Sequence, residues 1–310
     1  MTSRLAILGP TASGKSSVAL ALATSDIGRR LGVEIVSIDA MQVYRGMDIG
    51  TAKPSAAEQE MVRHHLIDLV DASETFAVAR FQSLYRETVA DIESRGAQAV
   101  LVGGTGLYLR AVVDDLDIPG QWPEIRRRLE ADAESHGPEV LHARLAVVDA
   151  SAAAKMEPTN TRRIVRALEV CEGSGRPFSS FGPGVDTYPE SPVVQIALRW
   201  PREVLAVRIE TRVHQMVEMG LVAEVARLRD AGLSATAAQA LGYKEVIDHL
   251  EGRCSVDEAV ELTILRTRQF AVRQERWFRR DPRVRWFDIE SNPVAEVVPE
   301  LERLLTASLT

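Results

Sequence analysis

Lysine, cysteine and aromatic residues are all scarce in this chain of 310 residues, and no long apolar run interrupts it. The two cysteines, Cys171 and Cys254, lie far apart, with no C-x-x-C spacing and no histidine-rich neighbourhood. That excludes a disulfide framework and a cysteine-based zinc site, and it suits a reducing cytoplasm. No stretch approaches the roughly 18 apolar residues of a membrane span, and Met1 to Leu8 lacks a basic segment ahead of a long apolar one. A soluble, unexported chain without membrane contact is expected. Its 20 glycines and 14 prolines are too few for collagen or low-complexity sequence. The formal net charge of −7 argues against polyanion binding only if charge is evenly spread, because such binding depends on clustered cations.

Charge is not evenly spread. Lysine supplies four of the 37 basic residues (Lys15, Lys53, Lys155 and Lys244) and arginine the rest. Between Arg266 and Arg285 eight arginines stand against two acids, Glu275 and Asp281. With 45% apolar and 26% charged residues, the chain is long enough for one large or two modest globular units with ample core.

Apolar runs at Leu5 to Leu8, Val33 to Ile38, Ala99 to Val102 and Val193 to Leu198 read as buried strands, with a late one at Val284 to Phe287. The stretches between them are long enough for helices, which predicts a parallel α/β sheet. Gly9, Asp39 and Gly103 follow the first three runs, at the carboxyl ends where such sheets bind ligands. From Gly120 to Pro189 the texture becomes arginine- and alanine-rich with helical periodicity, punctuated by prolines such as Pro158 and Pro183. The expected organisation is a core of residues 1–119 and 190–310 with a helical insertion at 120–189. Two amphipathic helices are expected from Pro201 to about Ala231, and another over Val256 to Arg280.

Strand, glycine-rich loop and helix then occur in order: Leu5 to Leu8, Gly9-Pro10-Thr11-Ala12-Ser13-Gly14-Lys15-Ser16, and Ser17 onward. This G-x-x-x-x-G-K-S pattern is a phosphate-binding loop. Backbone N–H groups and a helix N-terminus face the phosphates, Lys15 adds a cation, and the Ser16 hydroxyl can ligate magnesium. The fold class expected is therefore α/β, a P-loop NTPase-like parallel sheet core with an all-α insertion and C-terminal helices. The loop alone does not separate hydrolysis, phosphorylation and simple diphosphate binding. Asp39 has three readings, as catalytic base, magnesium ligand, or N-cap of a helix from Met41 onward. The third strand ends instead in the neutral turn Gly103-Gly104-Thr105-Gly106.

Arg208 and Arg212 lie four apart on one expected helix, so they share a face and could meet a diphosphate, or else pair with Glu203 or Glu210. Arg266, Arg273, Arg276 and Arg280 share a sector of the late helix, interleaved with Phe270, Trp277 and Phe278. A basic face beside aromatics suits an unpaired RNA loop, and a solvated charged face is the alternative. His64-His65 lacks a third ligand at usable spacing, so a structural role is favoured over metal binding.

These motifs together resemble the tRNA dimethylallyltransferases, or tRNA isopentenyltransferases, over nearly the whole chain. The resemblance rests on Gly9 to Ser16, Asp39 through Pro54, His64-His65-Leu66-Ile67-Asp68, Val102 to Tyr108, Arg162 to Val170, Arg208-Ile209-Glu210 and Gly242-Tyr243-Lys244-Glu245. It implies transfer of a dimethylallyl group from dimethylallyl diphosphate to N6 of the adenine 3' of the anticodon, position 37, in tRNAs reading codons that begin with U. Gly9, Pro10, Thr11, Ala12, Ser13, Gly14, Lys15 and Ser16 would cradle the diphosphate, with Mg2+ at Ser16. Asp39 would be the base, with Lys15 and Arg208 as catalytic cations. Contacts to the tRNA anticodon stem-loop would come from Asp39, Ala40, Met41, Gln42, Thr105, Arg126, Arg162, Arg163 and Arg166, to which the basic sector adds Arg273 and Arg280. A monomer that needs no ATP hydrolysis is expected. The competing readings are a small-molecule P-loop kinase and a prenyltransferase acting on free adenine nucleotides. The chain departs from the family pattern at Ser16, where threonine is common, at Arg63, where proline is usual, and at Val272 and Arg276, where lysine and threonine are expected.

Overall fold

Along the first long strand, Leu5 and Ile7 enter one apolar cluster while Ala6 and Leu8 enter another. The same alternation recurs at Ile35 and Val36 and at Val100 and Leu101. A period of two with both clusters apolar requires a sheet covered on both faces, the condition in which parallel sheets are found. The computed structural model, which describes residues 4–182, 184–185 and 187–307, has this architecture. Pro183 lies outside the described residues.

The chain forms two compact units, residues 1–113 with 190–310 and residues 114–189. The first opens with β1 (Arg4–Leu8), α1 (Lys15–Thr24), α2 (Asp26–Leu31), β2 (Val33–Ile38) and the short β3 (Tyr44–Arg45). It continues through α3 (Ala56–Met61), β4 (His64–His65), β5 (Val70–Asp71), α4 (Val78–Ser94), β6 (Gln98–Gly103) and α5 (Gly106–Val113). The second unit holds α6 (Pro123–His136), α7 (Pro138–Val148), α8 (Ala150–Ala153) and α9 (Thr161–Ser174). The first unit resumes with β7 (Val193–Arg199), α10 (Arg202–Glu218), α11 (Leu221–Ala231), α12 (Tyr243–Leu250), α13 (Val256–Arg279), β8 (Val284–Asp288) and α14 (Pro293–Ala307).

Six strands form one sheet in the order β4-β2-β6-β1-β7-β8, and every pairing in it is parallel. Register brings Leu8 beside Gly103 and Ala197, and Ile38 beside Gly103. The ends of β1, β2 and β6 therefore lie at one edge, so the loops after them converge. Side chains from α4, α5, α11 and α12 cover one face, and those from α1, α10 and α14 the other. In the second unit Leu129, Leu141, Leu145, Ile164 and Leu168 form a separate core. Buried Asp149 ties that unit together by accepting from Ala152 N and from both the N–H and the hydroxyl of Ser179.

His64-His65 is the edge strand β4, where His65 Nε2 donates to Glu34 at 2.6 Å and His64 Nδ1 to the Val62 carbonyl at 2.8 Å. Arg95 holds the same Glu34 carboxylate, keeping it below the usual carboxylate range despite its burial.

The convergence at the sheet edge leaves no room beside β2 at the end of β6. A Cβ on Gly103 would stand 2.1 Å from the Ile38 carbonyl oxygen. Gly103→Ala is expected to cost more than about 2 kcal/mol, measured by urea unfolding at fixed m-value, because rigid backbone must move to admit a methyl group.

Candidate active site

The loop after β1 turns through a left-handed residue, Ala12 at φ 61, before Gly14 starts α1. Such a conformation persists only when surroundings hold it, and here side chains from several elements do. Lys15 Nζ donates to the Pro10 carbonyl at 2.7 Å, Arg208 Nε to Ala12 O at 2.9 Å, and Trp200 Nε1 to Ser13 O at 3.0 Å. Thr11 N–H is also engaged, by Gln274 Oε1 at 2.9 Å, and Ser13 N–H meets Pro10 O at 3.3 Å. The cradle expected over all of Gly9 to Ser16 is thus narrower. Thr11 and Ser13 already have their N–H groups engaged within the protein, so the donors open to an anion are the remaining loop N–H groups and the orphan donors of the first turn of α1. Ser16 is exposed on that turn.

Helix α10 buries Leu205, Ile209 and Val213, which swings Arg208 and Arg212 to one side of it. Glu210, a conceivable partner for Arg208, is held by Arg268 at 2.6 Å. The Arg208 guanidinium lies 4.5 Å over the Trp200 ring. Burial lowers the pKa of Arg208, and it lowers that of Arg212, where the field of Arg208 adds to it and Asp39 opposes. Lys15 is pushed down to about 7 by burial and by Arg212, again against Asp39. Arg212 thus repels both Lys15 and Arg208, and Asp39 is the acid that Lys15 and Arg212 feel. An anion bound among these groups would relieve their repulsion.

Asp39 leaves the end of β2 half-buried. Its Oδ1 accepts from Met41 N at 2.8 Å and more weakly from Gln42 N at 3.4 Å, which orients the carboxylate and leaves Oδ2 pointing at no protein donor among the described residues. No helix follows: residues 40–43 are bend and turn ahead of β3, so the N-cap reading becomes the capping of a turn. Ala40 N–H donates to Thr105 Oγ1 at 3.2 Å, joining the loops after β2 and β6.

Gln42 and Thr105, expected to contact RNA, thus also serve inside the protein. Gln42 accepts from Ser37 Oγ at 2.8 Å and donates to Thr51 O and Ala52 O. The rest of the Asp39 to Pro54 loop is organised by two buried charges. Glu224 accepts the N–H groups of Asp48, Ile49 and Gly50 and the Tyr243 hydroxyl. Lys53, whose side chain is 3% exposed, binds Asp48, Asp68 and the Tyr44 carbonyl.

Arg273 on α13 and Arg280, which caps its C-terminus, are exposed, each near an aromatic ring, Phe270 at 5.7 Å and Trp277 at 5.9 Å. Arg266, in the same sector, is not open to RNA in the same way, since Glu245, 1% exposed, holds it at 2.5 Å. In the second unit Arg162 and Arg163 are exposed at the start of α9. Arg126 and Arg166 instead flank buried Glu169, at 3.8 and 3.0 Å, and Glu169 also accepts the Trp122 N–H. The sequence reading missed Gln274, Trp200, Glu224 and Glu169. A polar residue on an otherwise apolar helical stripe was the available signal for Gln274, which shares its face with Ala271 and Phe278.

The IPP transferase family model matches residues 42–281. A protein of Kineococcus radiotolerans named tRNA dimethylallyltransferase is 53% identical over 98% of this chain and 97% of its own length. The crystal structure of a full-length tRNA isopentenylpyrophosphate transferase from Bacillus halodurans is 40% identical and superposes with a TM-score of 0.71, covering 100% of this chain and 97% of that one. A eukaryotic dimethylallyltransferase described as acting on tRNA aligns at a TM-score of 0.79 and 25% identity, over 97% of this chain and 78% of its own. Motifs, sheet order and comparisons converge, and the chain belongs to the IPP transferase family.

Proposed function

We propose that this chain transfers a dimethylallyl group from dimethylallyl diphosphate to N6 of adenine 37, beside the anticodon, in tRNAs reading codons that begin with U. The observation that carries the reading is the cluster of Lys15, Arg208 and Arg212 around the loop after β1, with the Asp39 carboxylate beside it. In the transfer a bond forms between N6 and the allylic carbon while the carbon–oxygen bond to diphosphate breaks. The cations stabilise charge gathering on the departing diphosphate. Adenine N6 is a weak nucleophile, and Asp39, oriented through Oδ1, accepts its proton through the other oxygen. Stacking hides the base, so it leaves the stack to reach Asp39. Magnesium fits the donor set: the exposed Ser16 hydroxyl, with diphosphate oxygens and water, suits a hard cation, which would neutralise phosphate charge there.

The kinase reading is less well supported, because a P-loop phosphotransferase usually carries a second acid after an apolar strand and β6 ends in neutral Gly103-Gly104-Thr105. A free nucleotide would leave idle the exposed arginines on α9 and α13, where a polyanionic RNA needs them. With two free cysteines and no helix among the described residues long and apolar enough to cross a membrane, the same reading takes the chain as a cytoplasmic monomer. Incubation with labelled dimethylallyl diphosphate, tRNA and magnesium, without ATP, should place label in tRNA. ADP accumulating with ATP, and no label transfer, would favour the kinase.

Three further outcomes follow from the geometry. Asp39→Asn, nearly isosteric but unable to take the proton, should slow single-turnover transfer about 100-fold or more with tRNA affinity within a few-fold of wild type. A wild-type rate removes Asp39 as base. Lys15 is charged below its pKa of about 7 and neutral above it, so donor affinity should weaken as pH rises past that value. Binding at about pH 8.5 should then draw up a proton, read by calorimetry in buffers of different ionisation enthalpy. Lys15→Met should abolish that uptake, and equal uptake in both proteins would contradict the assignment. Finally, Arg273→Ala should shallow the log–log salt dependence of tRNA affinity by about 0.7 to 1. An unchanged slope means the α13 face is merely solvated.

A further inference from the structure

Gln274 interrupts the apolar stripe of α13 and is 7% exposed, yet both ends of its amide are engaged. Oε1 accepts from Thr11 N in the loop after β1, and Nε2 donates to Gly104 O in the turn after β6, each at 2.9 Å. The next residue of that turn, Thr105, accepts the N–H of Ala40 beside Asp39. One side chain therefore spans the phosphate loop and the turn that braces the proposed base. The fit is close, since a Cβ on Gly104 would stand 2.3 Å from Nε2. Among side chains of this length that keep one form across the neutral pH range, an amide offers a neutral acceptor and a neutral donor at one planar end, as these two backbone partners require.

The other side chains gripping the loop, Lys15, Trp200 and Arg208, all bind carbonyl oxygens. Gln274 is the side chain that takes an N–H, and in doing so it anchors the N–H end of the Pro10–Thr11 peptide, whose carbonyl end is held by Lys15 and by the Ser13 N–H. Released, that N–H would leave the peptide held from its carbonyl end alone, and the left-handed Ala12 next to it would keep Arg208 on its carbonyl but lose the restraint on its N-terminal side. The first-turn donors of α1 would then no longer be pre-aligned for an anion.

We propose that Gln274 is a positioning residue for the donor diphosphate, acting through Thr11 and Gly104 rather than by touching substrate. This rests on the transfer reading for its role in the reaction, but the predicted effect on diphosphate binding does not depend on transfer.

The test titrates inorganic diphosphate with magnesium into the full chain by calorimetry, beside tRNA affinity without donor and thermal unfolding. Gln274→Met, similar in volume but without the two hydrogen bonds, should weaken diphosphate about tenfold and leave tRNA affinity within about twofold. Gln274→Glu carries the test if the methionine variant does not fold. Its carboxylate can accept from Thr11 but meets Gly104 O without a proton. Protonated, it regains the donor, so its affinity deficit relative to wild type at the same pH should shrink between about pH 8 and pH 6. Lowered melting temperature with unchanged diphosphate affinity would make Gln274 merely structural and overturn the proposal. Lost tRNA affinity with normal diphosphate binding would do so too, by making it an RNA contact. Absence of label transfer by the wild-type protein, with the diphosphate result intact, would overturn the transfer reading alone.

Discussion

Arg212 repels both Lys15 and Arg208, and burial makes each of the three less willing to be charged. A folded chain tolerates such a cluster only if rigid elements impose it and a ligand relieves it. The imposing elements are identifiable. Leu205, Ile209 and Val213 fix the rotation of α10 against the sheet, and Trp200, at the end of β7, binds the loop backbone while backing Arg208. Lys15 is carried by α1, whose Val18, Ala19 and Leu22 sit in the same apolar cluster as Ile209 and Val213. Core packing on one sheet face thereby sets the electrostatics at its edge.

The other face supports the proposed acceptor side. The long loop after β2 is nearly devoid of regular structure, and polar groups give it shape together with Val43, Tyr44 and Met47, which it buries in the core. Glu224 satisfies backbone N–H groups, Lys53 neutralises acidic ones, and Gln42 closes the loop on itself. Each of these charges is buried with its hydrogen-bonding capacity largely used, the condition under which a buried polar network specifies one conformation. Asp39 is consequently presented from a fixed turn, at a sheet edge shared with the phosphate loop.

Much of this was legible in the residues. The strands at β1, β2, β6, β7 and β8 announced themselves as apolar runs, because a parallel sheet buried on both faces leaves no polar alternation to obscure them. The two-residue strands β3, β4 and β5 carry no such signal, being too short for any period to register. The glycine-rich loop between β1 and α1 was readable as a motif, but which of its N–H groups are engaged within the protein was not, since that depends on Gln274, 263 positions after Thr11. Arg266 looked equivalent to Arg273 by angle alone. Helical phase predicts a shared side, yet it cannot show that Glu245, from α12, waits there to neutralise one of them.

The central claim, that three clustered cations form a diphosphate site, is tested most directly by calorimetric titration of inorganic diphosphate into the wild-type chain and into Arg208→Ala/Arg212→Ala. One diphosphate per wild-type chain is expected, with affinity falling by about 100-fold when both guanidinium groups are removed. Equal affinity in the two proteins would contradict it, and the charge cluster would then have to be explained without an anion.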